Sequence, residues 1–419
     1  MTEIKGTVVI IAVQTPEQTD EEIQANLDEL RELLRTAAYS VVSSIVQKRP
    51  RFDRVSYFGD GKIQELKRFV EEADVDHIVA DDELSALQVR KLEEGTETTV
   101  SDRTGVILEI FANVASSREG KMQVELARMQ YQLLRLAGGY SALSRQRGGI
   151  GLKGPGETKI EADRRVLKFK IVRLKRELEK VVENRRLLRQ KRIENLAPLF
   201  ALVGYTNAGK STLLNSLCGS EVTVNDGLFT TLDPTARRVN LPSGRFCVLS
   251  DTVGFIKKLP HNLVKAFRAT LEDVINSQVV ILVSDISSSD TENRIAVVRD
   301  VLLQIEALEK EIILVFNKTD KSAPETINIF KTKYPEGIYI SAKEKIGLGD
   351  LLFKFDEIMK REYQLVELLI PGNSPICKQI LSIGIVKSQE WSENGVKISV
   401  ELPRKILSMV SSFRIDNQS

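Results

Sequence analysis

Residues 199–217, LFALVGYTNAGKSTLLNSL, leave this chain few ways to fold. An apolar run ends in a glycine, Gly204–Ser211 fits the pattern G-x-x-x-x-G-K-[ST], and helix-forming residues follow. A loop of this kind needs a strand before it and a helix after it, so an α/β sheet with mostly parallel strands is expected around it. Its glycines let backbone N–H groups approach phosphate oxygens, and the helix turns its positive end toward them. Gly204, Tyr205, Thr206, Asn207, Ala208, Gly209, Lys210 and Ser211 are therefore the candidate phosphate cradle. Lys210 would bridge the β- and γ-phosphate oxygens, and the Ser211 hydroxyl would bind Mg2+. The loop alone predicts a nucleoside triphosphate without naming its base.

The base is named by FNKTD, which places Asn317, Lys318, Thr319 and Asp320 just after the apolar run EIILVF. In the N-K-x-D pattern the aspartate accepts two hydrogen bonds from guanine's ring N–H and exocyclic amine, a pair adenine does not offer. A site built on such bonds rejects the analogue lacking them by about 10⁴-fold or more. The Lys318 stem would lie along the base, and Asn317 would brace the loop. Ser341-Ala342-Lys343 follows another strand, GIYI, and the Ala342 N–H is expected at guanine O6. The substrate predicted is GTP.

Two further stretches would sense the terminal phosphate. FTTLD, residues Phe229, Thr230, Thr231, Leu232 and Asp233, offers a threonine to bind Mg2+; Thr231 is preferred, with Thr230 in reserve. Asp251, Thr252, Val253 and Gly254 form D-x-x-G, in which Asp251 would hold Mg2+ through a water and the Gly254 N–H would meet the γ-phosphate. Lys210, Thr231 and Gly254 are thus the candidate catalytic residues, and Ser211 and Thr231 the candidate metal ligands. In many GTPases the next residue is a glutamine that orients the attacking water, but here it is Phe255. The water must then be held by backbone or partner groups, or through a monovalent cation. Asn207 is the residue that potassium-activated GTPases with a similar N-A-G-K-S loop use to hold such a cation, which adds K+ to the cofactors considered. A third reading leaves Phe255 as simple packing. Arg237 and Arg238 suggest an arginine finger, yet they fit better in the strand ARRVNL of a hairpin turning at Pro242-Ser243-Gly244.

Around this GTPase segment, predicted for 198–362, the chain changes character three times. Residues 1–112 alternate buried strands (GTVVIIAV, VDHIVA) with amphipathic helices, which predicts a small α/β domain. Residues 113–197 carry two seams at four- and three-residue spacing: Met122, Leu126, Met129, Leu133, Leu136, and Leu167, Ile171, Leu174, Leu178, Val181. They predict an antiparallel helical hairpin, with a loop at 138–159 where glycines crowd. Residues 363–419 read as a small α+β segment without a chemical motif.

Net charge is only +2, from 60 basic and 58 acidic residues, but that balance is uneven. Between Arg164 and Arg192 there are 13 Lys/Arg and 3 Glu, a local charge of +10. Solubility alone is usually met by mixed charges, so a one-signed helix beside an Arg/Gly loop points to nucleic acid. Apolar residues at 42% and charged residues at 28% describe a globular protein. No apolar run suits a membrane span, and the amino terminus lacks a cleavable leader pattern. Cys218, Cys247 and Cys377 are scattered, as reduced core thiols of a cytoplasmic protein would be, and two histidines leave little for a metal cluster.

Together these motifs resemble the HflX family of translational GTPases over nearly the whole chain. The likeness runs through DDELS, SDRTGVILEIF, REGKMQVELARMQYQL, LSRQRGGIGLKGPGETKIEADRR, GYTNAGKSTLLN, FTTLDPTARR, DTVGFIKKLPHNLVKAF and NKTD. The resemblance implies a cytoplasmic, monomeric GTPase that binds ribosomes, chiefly the large subunit through ribosomal RNA, and splits stalled ribosomes. It also implies that the glycine-rich loop enters near the peptidyl transferase centre. Arg147 and Leu152-Lys153 stand where more glycine-rich variants are common, and the carboxy-terminal segment is only loosely similar. The alternatives are an RNA-binding scaffold with vestigial hydrolysis and an RNA-modification GTPase, although no modification domain is visible.

Overall fold

A computed structural model describes residues 4–146, 155–193, 198–219, 228–229, 235–258, 260, 271–371, 374–392 and 395–415. The chain falls into two compact units. One gathers Met1–Val182, Asn225–Asp233 and Val253–Glu272; the other gathers Glu183–Val224, Pro234–Thr252 and Asp273–Ser419.

The first unit is built on β1 (Gly6–Gln14), α1 (Asp20–Thr36), β2 (Tyr39–Lys48), α2 (Asp60–Glu72), β3 (His77–Ala80), α3 (Ala86–Thr96), β4 (Thr99–Asp102) and α4 (Arg103–Val114). All four strands run parallel in the order β2-β1-β3-β4, as the alternating pattern predicts. Strand β1 is covered on both faces, which explains its unbroken apolar run Val8–Val13. Thr19 and Glu22 close a capping box on α1, and Ser85 and Gln88 close another on α3. The chain leaves β1 toward β2 but leaves β3 toward β4. The sheet therefore changes direction between β1 and β3, where open α/β sheets form a crevice at their carboxyl ends.

Helices α5 (Arg118–Gln146) and α6 (Pro155–Ile193) follow. Helix α5 packs against α3 and α4, and Asp102 at the end of β4 fastens it. The Asp102 carboxylate accepts from Tyr131 Oη at 2.7 Å and Arg135 Nη2 at 3.3 Å. The predicted seams are the covered faces: Met122, Leu126 and Ile171 are buried, and Met129, Leu133, Leu167, Leu174, Leu178 and Val181 are half-buried. The helices reach further into the glycine-rich stretch than expected. Helix α5 continues through Gly138 and Gly139, and α6 already contains Gly156, so a loop over all of 138–159 is corrected. A helical glycine costs only about 1 kcal/mol relative to alanine, which good helix formers around it offset. Residues 147–154 lie outside the described residues.

The second unit holds β5 (Leu199–Gly204), α7 (Lys210–Cys218), β6 (Thr235–Asn240), β7 (Phe246–Asp251), β8 (Val279–Asp285), α8 (Thr291–Gln304), β9 (Glu311–Asn317), α9 (Pro324–Lys333), β10 (Ile338–Tyr339) and α10 (Leu348–Glu362). Their sheet runs β10-β9-β8-β5-β7-β6, parallel except for β6, which forms the expected hairpin with β7. Arg238 is exposed on that hairpin and lies 3.8 Å over the Phe246 ring. A small antiparallel sheet, β11 (Tyr363–Ile370), β13 (Gly395–Pro403) and β12 (Ile385–Ser392) in that order, packs with α11 (Pro375–Ile383) around its own apolar core. Arg245, only 6% exposed, ties it to α10. The guanidinium reaches Asp356 at 3.1 Å, meets Glu401 on β13, and lies over the Tyr363 ring. Cys247 and Cys377 are buried and Cys218 is half-buried, all as free thiols.

Candidate active site

The phosphate loop links β5 to α7 at the centre of the larger sheet. Two glycines are required by backbone shape and space together. Gly204 has φ of +156°, and a Cβ there would meet the Val283 carbonyl oxygen at 2.2 Å; Gly209 has φ of +91°, and a Cβ would meet Asn317 Nδ2 at 2.2 Å. Asn207 also takes a positive φ of 58°, which asparagine tolerates, and its side chain is exposed. Lys210 opens α7 and is 7% exposed, with Nζ donating to the carbonyls of Gly204 at 3.1 Å and Tyr205 at 2.9 Å. Burial pushes its ammonium down to about 8, against the pull of the Asp251 carboxylate.

Around the loop, Ser211 Oγ donates to Asp251 Oδ2 at 2.6 Å, so two of the sequence-predicted metal-site residues meet. Thr252 Oγ1 donates to the Leu202 carbonyl at 2.6 Å, which makes that side chain a brace between β7 and β5. Tyr205 is buried with Arg294 of α8 over its ring at 4.9 Å, and Thr206 is buried beside it.

The base-reading elements converge from the ends of β9 and β10. Asn317 Nδ2 donates to the Ala208 carbonyl at 2.8 Å, and its Oδ1 accepts from the Ala342 N–H at 2.9 Å. That N–H, expected at guanine O6, is thus engaged by Asn317. Ser341 Oγ donates to Asp320 Oδ1 at 2.5 Å, orienting a carboxylate that is otherwise exposed. Lys318 has a positive φ of 66° and pairs with Asp285 at 2.9 Å. The Thr319 N–H donates to the Ile340 carbonyl at 3.2 Å, while Lys343 is exposed beside Glu344.

The switch stretches belong to the first unit, from Asn225–Asp233 and from Val253 onward. Phe229 is buried against Phe111 of α4, with ring centroids 4.6 Å apart, so its side chain anchors the segment. Thr230, Thr231, Leu232 and Asp233 lie outside the described residues. Val253, Gly254, Phe255 and Ile256 are all buried, Phe255 to 2% exposure. A ring so enclosed is a packing residue, as one of the sequence readings held.

DDELS and SDRTGVILEIF do not announce in sequence what their charged residues do. The structure shows Asp81 at the end of β3 accepting from Arg103 Nη1 at 2.7 Å and Lys258 Nζ at 2.5 Å. Asp82 takes Lys258 Nζ at 2.6 Å and the Tyr57 hydroxyl at 2.7 Å. The adjacent acids at a strand end and the lysine pair after D-x-x-G were the available signals.

A glycine-shaped phosphate loop, a hydroxyl–carboxylate pair beside it and an ordered N-K-x-D element define a P-loop GTPase. Family models match the chain in sequence: "GTP-binding GTPase N-terminal" over residues 24–112, "GTP-binding GTPase Middle Region" over 114–192, and "50S ribosome-binding GTPase" over 199–318. The chain is 42% identical over 409 residues to GTPase HflX of Caldanaerobacter subterraneus subsp. tengcongensis, covering 97% of this chain and 93% of that one. It is 36% identical over 391 residues to GTPase HflX of Escherichia coli K12, covering 93% and 92%. The chain belongs to the HflX family of GTPases. A GTP-binding protein of Sulfolobus solfataricus, solved with GDP, aligns over 85% of this chain and 99% of its own at 24% identity, with a TM-score of 0.43, too loose a likeness to carry an argument.

Proposed function

We propose that this GTPase docks on the large ribosomal subunit through ribosomal RNA and separates stalled ribosomes into subunits, with hydrolysis coupled to release. The observation that carries the reading is the outer face of α6. Arg165, Lys168, Lys170, Arg173, Lys175, Arg176 and Lys180 are exposed, while the apolar seam on the same helix is covered. Although Glu161, Asp163, Glu179 and Glu183 are exposed too and Arg173 pairs with Glu177 at 3.0 Å, the exposed surface is predominantly basic and offers phosphate contacts without competing for the core.

At the nucleotide, Lys210 would exchange its bonds to the Gly204 and Tyr205 carbonyls for the β- and γ-phosphates. Asp320, steadied by Ser341, would read guanine. The Ser211–Asp251 oxygen pair fits Mg2+, a hard cation that takes hydroxyl, carboxylate and water oxygens. Ser211 and a switch threonine, Thr231 or Thr230, would be direct ligands, and Asp251 would act through water. Bound there, the ion neutralises charge on the transferred phosphoryl group. The enclosed Phe255 ring holds no water, so backbone groups of the ordered switch, ribosomal groups or a K+ ion beside Asn207 would do so. The protein would act as a monomer in the cytoplasm; among the described residues no helix is long and apolar enough to cross a membrane.

Sedimentation of the protein with intact ribosomes tests the reading. Co-migration and subunit release are expected with GTP, retention on the large subunit with a non-hydrolysable analogue, and neither with GDP. Ribosomes that remain intact and unbound in all three conditions would end it.

A further inference from the structure

One side chain of the phosphate loop is both buried and unsatisfied. Thr206 is 3% exposed, and its Oγ1 has no hydrogen-bond partner among the described residues. A buried hydroxyl left unpaired is costly, which calls for a partner that arrives with the nucleotide. The other hydroxyls described around the site are already committed: Ser211 donates to Asp251, Thr252 to the Leu202 carbonyl and Ser341 to Asp320.

Thr206 stands at the terminal-phosphate end of the loop. With Asn207 it forms the corner of a turn closed by the Ala208 N–H on the Tyr205 carbonyl at 3.2 Å. That carbonyl also accepts from Lys210 Nζ at 2.9 Å, the ammonium that meets the β- and γ-phosphates in this loop pattern. The Thr206 nitrogen is bonded to the same carbonyl, so Oγ1 stays within about 5 Å of its oxygen. Lys210 and the loop N–H groups can only donate, which suits phosphate oxygens. An attacking water needs an acceptor for one of its protons, so that a lone pair faces phosphorus. Phe255 offers none, whereas a threonine hydroxyl both donates and accepts.

We propose that Thr206 is a catalytic residue of GTP hydrolysis: its hydroxyl accepts a hydrogen bond from the attacking water and donates its own to a γ-phosphate oxygen. It acts as neither base nor nucleophile. As the water oxygen bonds to the γ-phosphorus, the bond to the β–γ bridging oxygen breaks, one water proton passes to a phosphate oxygen, and GDP leaves. The full contact forms only when γ-phosphate and water are both present, so it lowers the barrier without adding to GDP affinity. It rests on GTP hydrolysis alone and is independent of any ribosomal contact.

The test uses the full-length protein without ribosomes. Thr206→Val keeps the branched shape and removes the hydroxyl, Thr206→Ala removes both hydroxyl and methyl, and Thr206→Ser keeps the hydroxyl. Single-turnover and steady-state GTP hydrolysis are measured with GDP affinity and melting temperature. For Val and Ala, kcat is expected to fall about 100-fold, the loss typical of one preorganised hydrogen-bonding group. KM and GDP affinity should stay within about threefold of wild type. The Val variant should melt no earlier than wild type, because an unsatisfied hydroxyl has been removed. Thr206→Ser should recover most of the lost turnover. Wild-type kcat in a folded Val or Ala variant overturns the proposal, and a parallel fall in GTP and GDP affinity beside it would make the hydroxyl a binding group only. An equal loss of kcat in Ser and Val overturns it as well, because the packing of the methyl group is then the cause.

Discussion

Asn317 donates from Nδ2 to the carbonyl of Ala208 at 2.8 Å and accepts at Oδ1 from the Ala342 N–H at 2.9 Å. One side chain thereby fastens three loops that lie far apart in sequence. Asn317→Ala is expected to orphan a buried carbonyl and a buried N–H at about 1–3 kcal/mol each. The variant should melt earlier and bind GTP and GDP more weakly by similar factors, as thermal melts and nucleotide titrations would show. Intact stability would mean the loops are held by other contacts.

Asp320 should behave differently, because its carboxylate is exposed, takes a hydrogen bond from the Ser341 hydroxyl and is the residue proposed to read the base. Asp320→Asn exchanges an acceptor for a donor, and two charge-assisted bonds at about 1.5–3 kcal/mol each are affected. GTP affinity is expected to fall about 100-fold or more, with xanthosine triphosphate recovering much of it. Competition titration with both nucleotides checks the exchange, and equal competition by ATP in the wild type would remove the guanine assignment.

Lys210 makes nucleotide affinity depend on pH. Burial holds its ammonium at about 8 in the free protein, and bound phosphates favour the charged form and raise it. Below about pH 7.5 the lysine is charged before and after binding, so affinity is level. Above pH 8 binding must take up a proton, and affinity should fall toward tenfold per pH unit until the bound-state value is passed. Calorimetry in buffers of different ionisation enthalpy should detect that uptake at pH 8.5 and not at pH 7. A flat affinity across the range would place Lys210 near its ordinary value.

The exposed face of α6 predicts a salt slope. Each phosphate contact contributes to the slope of log K against log salt by about −0.7 on single strands and about −0.9 on duplex DNA. Lys168→Gln, Lys170→Gln and Lys175→Gln together should flatten ribosome binding by up to about 2.7 in that slope and leave GDP affinity unchanged. An unaltered slope would make the face merely solvated.

Phe255 predicts an asymmetry between two substitutions. Phe255→Leu conserves apolar packing and should keep kcat within about threefold, at a cost below about 1.5 kcal/mol. Phe255→Gln buries an amide among apolar neighbours at about 1–3 kcal/mol and should not accelerate hydrolysis. Faster turnover in the glutamine variant, measured beside its melting curve, would show that position 255 does reach the attacking water.

Local backbone shape was legible in the sequence. The spacing from Gly204 to Ser211, the order of D-x-x-G before N-K-x-D, and the unbroken apolar run of β1 each constrain backbone shape within a few residues. The apolar seams of α5 and α6 were legible for the same reason, since periodicity of three and four states which face is covered. Glycine content was a weaker guide: Gly138, Gly139 and Gly156 lower helix propensity by an amount that neighbouring residues outweigh. Long-range polar pairing was not legible. Nothing in KKLP announces that Lys258 meets carboxylates 177 and 176 residues earlier, and nothing in SAK announces that the Ala342 N–H goes to Asn317. That the Phe229 ring packs on Phe111 was likewise not announced by FTTLD.

Arg245 carries a practical warning for anyone trimming this protein. A chain stopped at Glu362 would look complete by motif, since every candidate nucleotide-site residue precedes that point. It would nevertheless lose Glu401 and the Tyr363 ring, and would uncover a guanidinium that is 6% exposed in the whole chain, with Asp356 as its remaining acidic contact. The lost charge-assisted contact contributes about 1.5–3 kcal/mol, a sizeable share of what a domain this size has in reserve. The catalytic fragment would then survive purification poorly, and its failures in an assay would be mistaken for a missing activator.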